Sequence, residues 1–318
     1  NFYSIFNQTM NKYALTVENL TKVFYEHRNK KENKALNDLS FKVNIGEVFG
    51  LLGPNGAGKT TFLSILGGTV SKTVGKINVW GFDIDKNPRQ VRASIGIVPQ
   101  EINVDPFFTP KKLLELQAGM YGIRKKDRIT DTILKLVSLE NQSKSYTRSL
   151  SGGMKRRLMV AKALVHKPPI VILDEPTAGV DVELRANLWD NVKSLNKQGV
   201  TIILTTHYLE EAEKMCDRIG ILNNGKLVAL DSTNNLLKKI KTKKVKFIVD
   251  KRIDTKSNLF DSLKIISNDE NHLSVIYEKS KINIRDLIYN IEKQDVNIID
   301  ISTDDGDLED VFLRLTKD

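Results

Sequence analysis

The sequence predicts an α/β protein built around a glycine-rich phosphate loop, followed by a small α+β domain. Three observations carry this prediction. An apolar run, Val48-Phe49-Gly50-Leu51-Leu52, leads into Gly53-Pro54-Asn55-Gly56-Ala57-Gly58-Lys59-Thr60-Thr61 and then Phe62-Leu63-Ser64-Ile65-Leu66, the pattern of a buried strand, a tight loop and a helix start. A second apolar run rich in β-branched residues, Pro169-Ile170-Val171-Ile172-Leu173, ends in Asp174-Glu175-Pro176. Composition then shifts at Lys238–Lys244, a lysine-rich linker, which divides the chain into a tail (1–12), a main domain (13–236) and a smaller domain (237–318).

The chain has 318 residues, enough for a large core and two domains. No apolar run approaches the ~18 residues that span a bilayer. Cys216 is the single cysteine, so no intrachain disulfide forms and a reducing compartment fits; the residue reads as a packing group. The four histidines, His27, His166, His207 and His272, show no metal-ligand spacing. The formal charge is +10, but the lysines are dispersed, which reads as a solvated surface rather than a nucleic-acid patch.

Taken in order, residues 1–9 read as an upstream extension or a cloning scar before Met10-Asn11-Lys12. Ala14-Leu15-Thr16-Val17 alternates and reads as an edge strand. Phe24 and Tyr25 close a second short segment, and Arg28 to Lys34 reads as a solvated hairpin tip. Phe41-Lys42-Val43 is a strand, and Gly46 turns the chain into the strand that feeds the loop. There the three glycines bring bare backbone close to a polyphosphate, and the helix N-terminus favours anions. Lys59 can reach β- and γ-phosphates, and the Thr60 hydroxyl can ligate Mg²⁺.

Gly75-Lys76-Ile77-Asn78-Val79-Trp80-Gly81 and Ile95-Gly96-Ile97-Val98-Pro99 read as strands, the second followed at once by Gln100. A helical insertion covers about 103–165, with Leu113, Leu114, Leu116 and Met120 at helical spacing. Within it, Leu150-Ser151-Gly152-Gly153-Met154-Lys155-Arg156-Arg157 opens a helix whose N-terminus is a second anion site. Its three basic residues oppose the helix dipole, a choice that makes sense near phosphate.

The run ending at Leu173 is buried on both faces, and its terminal acids stand where α/β sheets place ligands. Asp174 suits Mg²⁺, and Glu175 suits a general base for water. Thr177 to Asp181 is a turn. Val200 to His207 is another buried strand, and its terminal histidine is expected at a γ-phosphate. Ile219 to Ala229 forms a hairpin around Asn223-Asn224-Gly225. In the small domain, 245–249, 273–277 and 296–301 read as strands, and Ile284, Leu287, Ile288 and Ile291 share one helix face. Leu308, Val311, Phe312 and Leu315 mark a final helix.

This ordered set closely resembles the ATP-binding subunit of ABC transporters, a P-loop NTPase of ABC type with a helical insertion. The run Leu150 to Leu158 and the ending Leu308-Glu309-Asp310-Val311-Phe312 resemble the subunits that serve ABC-2-type exporter permeases. The resemblance covers residues 14–318. It implies that Phe24, or Tyr25, stacks on adenine. It implies that residues Gly53 to Thr61 hold the triphosphate. Thr60 and Gln100 would ligate Mg²⁺, with Asp174 holding the ion through water. Glu175 would polarise the attacking water and His207 would touch the γ-phosphate. Ser151, Gly152 and Gly153 would reach ATP on the other subunit of an ATP-dependent, head-to-tail dimer with a second copy or a paralogue, with Asp181 near that junction.

By the same resemblance the helical insertion docks an integral membrane ABC-2-type permease, which places the chain as a peripheral protein on the cytoplasmic face of the membrane. Two departures stand out. Met154 replaces the usual signature glutamine, and the segment between Phe24 and Ala35 is long and charged. One rival is a soluble ABC ATPase acting on nucleic acid or the ribosome. Translation-type members carry two cassettes and this chain has one; chromosome-type members insert a coiled coil for which Gln100 and Ser151 are too close. A non-hydrolysing regulatory subunit is a second rival, opposed by the joint presence of Lys59, Glu175 and His207.

Overall fold

The computed structural model describes residues 12–26, 31–178, 182–240, 242–255, 260, 263–304 and 306–316. The packing divides the chain between Asp231 and Ser232. In the first unit, β1 (Tyr13–Glu26) pairs antiparallel with β2 (Lys31–Asn44). β1 is one long strand rather than two short ones, and it is not an edge. It lies between β2 and β4 (Val74–Val79), with the short β5 (Phe82–Asp83) beyond. The alternation seen in the sequence breaks because β1 carries bulges. Asn19 takes a left-handed φ of 49°, and its amide donates to Asp38 Oδ1 at 2.8 Å. Residues 31–34 of the expected tip belong to paired β2; residues 28–30 lie outside the described set.

The second sheet positions the site. Its strands are β3 (Val48–Leu52), β6 (Ile95–Val98), β7 (Ile170–Asp174), β8 (Thr201–Thr205), β9 (Arg218–Asn223) and β10 (Lys226–Ser232). The order is β10-β9-β3-β8-β7-β6. β3 is parallel to both β8 and β9, and β7 is parallel to β8 and β6. These strands are almost wholly apolar because both faces are covered. The register puts Leu51 beside Thr205, Thr205 beside Asp174, and Leu173 beside Val98. Four strands therefore end together at one edge, and four sequence-predicted motifs leave from that edge.

Helices cover the sheet. α1 (Lys59–Gly67) follows β3, and α2 (Pro88–Ala93) precedes β6. α3 (Pro110–Met120), α4 (Thr130–Leu136) and α5 (Gly152–Leu164) form the helical insertion. α6 (Val182–Lys197) and α7 (Leu209–Met215) follow β7 and β8. In α3 the apolar stripe splits. Leu114 is buried, whereas Leu116 is 40% and Met120 81% exposed. Helical spacing alone did not distinguish a core face from a surface one.

Two glycines of this sheet are set by close approach rather than by turning. A Cβ on Gly50 would stand 2.9 Å from Cys216 Sγ; the buried thiol is a packing group whose pKa burial pushes up. A Cβ on Gly96 would meet the carbonyl oxygen of Ala163 and, at 2.9 Å, the ring of Pro168. α5 thus lies on β6 at backbone contact.

The second unit opens with α8 (Thr233–Lys238), capped by Ser232, whose hydroxyl accepts from Asn235 N at 3.2 Å. The unit therefore begins a few residues before the lysine-rich stretch. Its sheet, β12-β13-β11-β14, is antiparallel: β11 (Thr242–Val249), β12 (Lys264–Asn268), β13 (His272–Glu278) and β14 (Ile298–Asp304). β12 escaped sequence reading because its isoleucines are adjacent and do not alternate. α9 (Ile284–Glu292) buries Leu287 and Ile291 in a core with Phe247, Leu273 and Val275, and α10 (Leu308–Thr316) follows β14.

Gly96→Ala should force α5 off β6 and cost about 1–3 kcal/mol. Thermal unfolding checks this; an unchanged Tm would show that the two backbones are not in contact.

Candidate functional site

The phosphate loop leaves β3 and enters α1. Gly56 and Gly58 take φ of 82° and 109°, a region that only glycine visits at low cost. A Cβ on Gly58 would also stand 2.5 Å from the Ala35 carbonyl oxygen, and one on Gly53 would strike the carbonyl oxygen of Leu222. Gly53 and Gly58 are therefore fixed partly by β9 and β2, whereas Gly56 has open space around it and is set by its left-handed backbone alone. Ala57 N donates to Pro54 O at 3.1 Å, and Gly225 N donates to Ala57 O at 3.0 Å, which ties the loop to the β9–β10 turn. No side chain caps α1 at Gly58, so the first-turn N–H groups face outward as anion donors.

Lys59 is 7% exposed. Its Nζ donates to Gly53 O at 2.5 Å and Pro54 O at 3.1 Å. Burial pulls its pKa down, and the nearby carboxylates of Glu175 and Asp174 oppose that pull. The ammonium thus sits inside its own loop and within the field of both acids.

The acids separate immediately. Asp174 ends β7, and its Oδ1 accepts from Thr205 Oγ1 at 2.5 Å. Glu175 turns into a left-handed φ of 44°, a conformation that costs a non-glycine residue roughly 1–3 kcal/mol. Its N–H donates to Thr205 O at 2.9 Å, and its Oε2 stands 3.2 Å from His207 Nδ1. The Glu175 side chain is 12% exposed and that of His207 48%. One carboxylate is held by a hydroxyl beside Lys59, the other by an imidazole at the mouth. Thr60 and Gln100 are exposed at the same edge. Hard oxygen donors from Thr60, Asp174 and Gln100 suit Mg²⁺, which takes one or two carboxylates and completes its shell with phosphate and water. Among the described residues no cluster of three His, Cys, Asp or Glu stands together to hold a metal ion.

Ser151 caps α5, its Oγ accepting from Met154 N at 3.2 Å. Gly152 and Gly153 open the helix, with nothing within 4 Å of a Cβ on Gly152. No hydrogen bond among the described residues joins Ser151, Gly152 or Gly153 to the phosphate loop. Phe24 and Tyr25 stand exposed on β1, at 41% and 63%, with Lys22 Nζ over the Phe24 ring at 4.6 Å. Asp181 lies outside the described residues.

The basic residues of α5 differ from the sequence expectation. Arg156 does not face phosphate. It is 4% exposed and lies on the helix face of buried Val160 and Ala163. Its Nε donates to Pro176 O at 2.9 Å; Nη1 donates to Pro99 O at 2.7 Å and Gln100 O at 2.8 Å. Nη2 donates to Glu175 O at 2.8 Å and Asp174 O at 3.4 Å. One guanidinium binds the helix behind Ser151 to the Gln100 junction and to the acidic turn. The available signal was position: Arg156, Val160 and Ala163 share one face at i, i+4, i+7. Arg157 likewise turns away, to Val137 O and Ser138 O.

This arrangement has counterparts among known proteins. A sequence profile described as ABC transporter matches residues 36–178. Linearmycin resistance ATP-binding protein LnrL of Bacillus subtilis is 40% identical over 229 residues, 71% of this chain and 71% of that protein. Nod factor export ATP-binding protein I of Rhizobium etli is 40% identical over 208 residues, 65% of this chain and 66% of that protein. A solved ATP binding subunit of an ABC transporter superposes with a TM-score of 0.62 at 28% identity, over 71% of this chain and 92% of that one. The dimeric ATP-binding cassette MJ0796, in a post-hydrolysis state bound to ADP and Pi, superposes with a TM-score of 0.61 at 26% identity, over 69% and 98%.

Arg156→Met should remove the buried guanidinium donor from five carbonyl groups, of which Glu175 O keeps the Ala178 N–H. Each unpaired buried acceptor costs about 1–3 kcal/mol, so the variant should melt well below the wild type. A Tm within error of wild type would contradict the role assigned to Arg156.

Proposed function

The chain belongs to the ABC transporter family and is an ABC-type ATPase, and on that premise we propose that it drives a membrane exporter through a separate ABC-2-type permease. The observation that carries this reading is the convergence of Lys59, Asp174, Glu175 and His207 at one sheet edge. Export is supported by the relatives, whose names are those of a Nod factor export protein and a linearmycin resistance protein.

In this reading the triphosphate lies on the first-turn N–H groups of α1, and Phe24 or Tyr25 stacks on adenine. Lys59 leaves the carbonyls of Gly53 and Pro54 for the β- and γ-phosphates, exchanging two neutral acceptors for charged ones. Thr60, Gln100 and Asp174 hold Mg²⁺, which when bound neutralises developing phosphate charge. Glu175, already turned toward the mouth by its left-handed backbone, polarises the attacking water. His207 spends Nδ1 on Glu175 and keeps Nε2 for the γ-phosphate. Ser151, Gly152 and Gly153, with Asp181, serve the ATP of the opposing subunit in a head-to-tail dimer.

Docking to the permease is assigned to a groove of about 550 Å³ between β6, α3 and α5, lined by Ile97, Pro99, Leu113, Gln117, Tyr121 and His166 among others. His166 stacks on Tyr121 with ring centroids 3.8 Å apart. Its Nε2 donates to Ile95 O at 3.0 Å, and burial lowers its pKa to about 4, so His166 itself stays uncharged near neutral pH while Arg92, Asp105 and Lys162 supply the charge of the lining. Exposed Met120 lies at the end of α3, and exposed Phe107 just before it, apolar surface of the kind that marks an interaction site. No helix among the described residues is long and apolar enough to cross a membrane. By the exporter reading the chain is assigned to the cytoplasmic face of the membrane, held there by its permease.

Glu175→Gln should bind Mg·ATP, hydrolyse it about 10²–10⁴-fold more slowly, and pass from monomer to dimer when ATP is added, as read by light scattering. Adding Gly153→Asp, which puts a carboxylate where the partner's γ-phosphate should sit, should abolish that dimer and spare ATP binding to the monomer. A Glu175→Gln chain that binds ATP and stays monomeric would remove the support for a shared site.

A further inference from the structure

Behind the Glu175–His207 pair lies a set of side chains to which phosphate chemistry gives no role. Glu211 on α7 is 7% exposed. Its Oε2 accepts a 2.6 Å hydrogen bond from the hydroxyl of Thr177, which is fully buried two residues beyond Glu175. Its Oε1 stands 3.3 Å from Nε of Arg185 on α6, an ion pair by distance but not aligned as a hydrogen bond. The Arg185 guanidinium lies 4.9 Å from the centre of the Tyr208 ring. That ring leans on His207, centroids 4.2 Å apart and planes at 36°. His207 Nδ1 returns to Glu175 Oε2 at 3.2 Å. The contacts run from Glu175 through His207, Tyr208, Arg185 and Glu211 to Thr177, and the backbone through Pro176 closes the circuit to Glu175.

A buried carboxylate is costly unless its oxygens are matched. Here one oxygen holds the turn that follows Glu175, and the other anchors the cation beneath Tyr208. His207 needs that support. It lies just past the end of β8, its side chain is 48% exposed, and a free imidazole would sample several rotamers. The stack of Arg185 under Tyr208 and Tyr208 against His207 selects one of them, a face-on geometry that arginine and an aromatic ring favour.

We propose that Glu211, acting through Thr177 and through Arg185 and Tyr208, is a positioning residue that holds His207 and Glu175 together for ATP hydrolysis. The proposal rests on the hydrolytic roles given above to Glu175 and His207. Neither Glu211 nor Arg185 touches the nucleotide; their effect falls on the geometry of the base and not on ATP affinity.

The test is steady-state ATP hydrolysis by the full chain with Mg²⁺, with kcat and KM measured separately. Arg185→Met and Tyr208→Leu alter half-buried side chains and should leave the fold intact. Each should lower kcat about tenfold or more and leave KM for ATP within about twofold, the signature of lost transition-state geometry. Glu211→Gln keeps an acceptor for Thr177 but removes the charge under Arg185, and should fall between these variants and the wild type. Tyr208→Phe keeps the ring and should recover most of the loss seen in Tyr208→Leu. In a Glu175→Gln background, Arg185→Met should lower the residual rate no further, since groups in one network do not add.

An unchanged kcat in Arg185→Met and Tyr208→Leu overturns the proposal. So does a Tyr208→Phe chain as slow as Tyr208→Leu, a rise in KM that accounts for the loss, or full additivity with Glu175→Gln. A Glu175→Gln chain that turns over ATP at the wild-type rate overturns the hydrolytic roles themselves, an outcome distinct from each of these.

Discussion

The structure depends first on a buried cation. Lys59 is enclosed by the loop that precedes it, and an ammonium taken out of water requires compensation from fixed partners. The carbonyls of Gly53 and Pro54 supply two acceptors, and Asp174 and Glu175 supply the field that opposes loss of the charge. The loop can curl tightly enough to present those carbonyls because Gly56 and Gly58 accept left-handed backbone, while Gly53 and Gly58 also let β9 and β2 approach. The acids can reach the site because β8 separates β3 from β7 and all three end in register. Sheet order, glycine placement and the acidic turn together enclose one buried charge at the sheet edge.

Arg156 is a second buried cation satisfied by backbone carbonyls. Its five hydrogen bonds draw the Gln100 junction and the acidic turn onto the helix that begins at Ser151. Carbonyls, unlike carboxylates, leave the guanidinium charge uncancelled, so the positive potential of this region persists behind the two acids. A shift of α5 would have to move the strand ends that carry Gln100, Asp174 and Glu175. That linkage offers a physical route by which events at the Ser151 end of the helix reach Glu175.

Much of this site could be read from sequence. The glycine loop, the acid pair at a strand end and the terminal histidine are local patterns, fixed by backbone geometry over a few residues. What escaped was long-range. The bulge at Asn19 depends on Asp38 and Ser40 across the strand pair, so β1 looked like two segments and an edge. Arg156 looked like a charge placed for phosphate because its acceptors are backbone carbonyls 18 to 57 residues distant. Glu211, Arg185 and Thr177 are unremarkable in sequence and meet only because α6 and α7 return to the turn after β7. Hydrophobic periodicity placed the helix from Pro110 to Met120 but not its orientation, since Leu116 and Met120 face outward.

Affinity for Mg·ATP, measured by calorimetry on the wild type and on Lys59→Met, tests the central claim most directly. The two side chains are similar in length and only one is charged. The account predicts that Lys59→Met keeps the wild-type fold and binds Mg·ATP about 10–100-fold more weakly, the loss expected for a charge-assisted hydrogen bond to phosphate. Equal affinity in the two proteins would contradict it, because the buried ammonium around which the sheet edge is arranged would then have no part in holding the nucleotide.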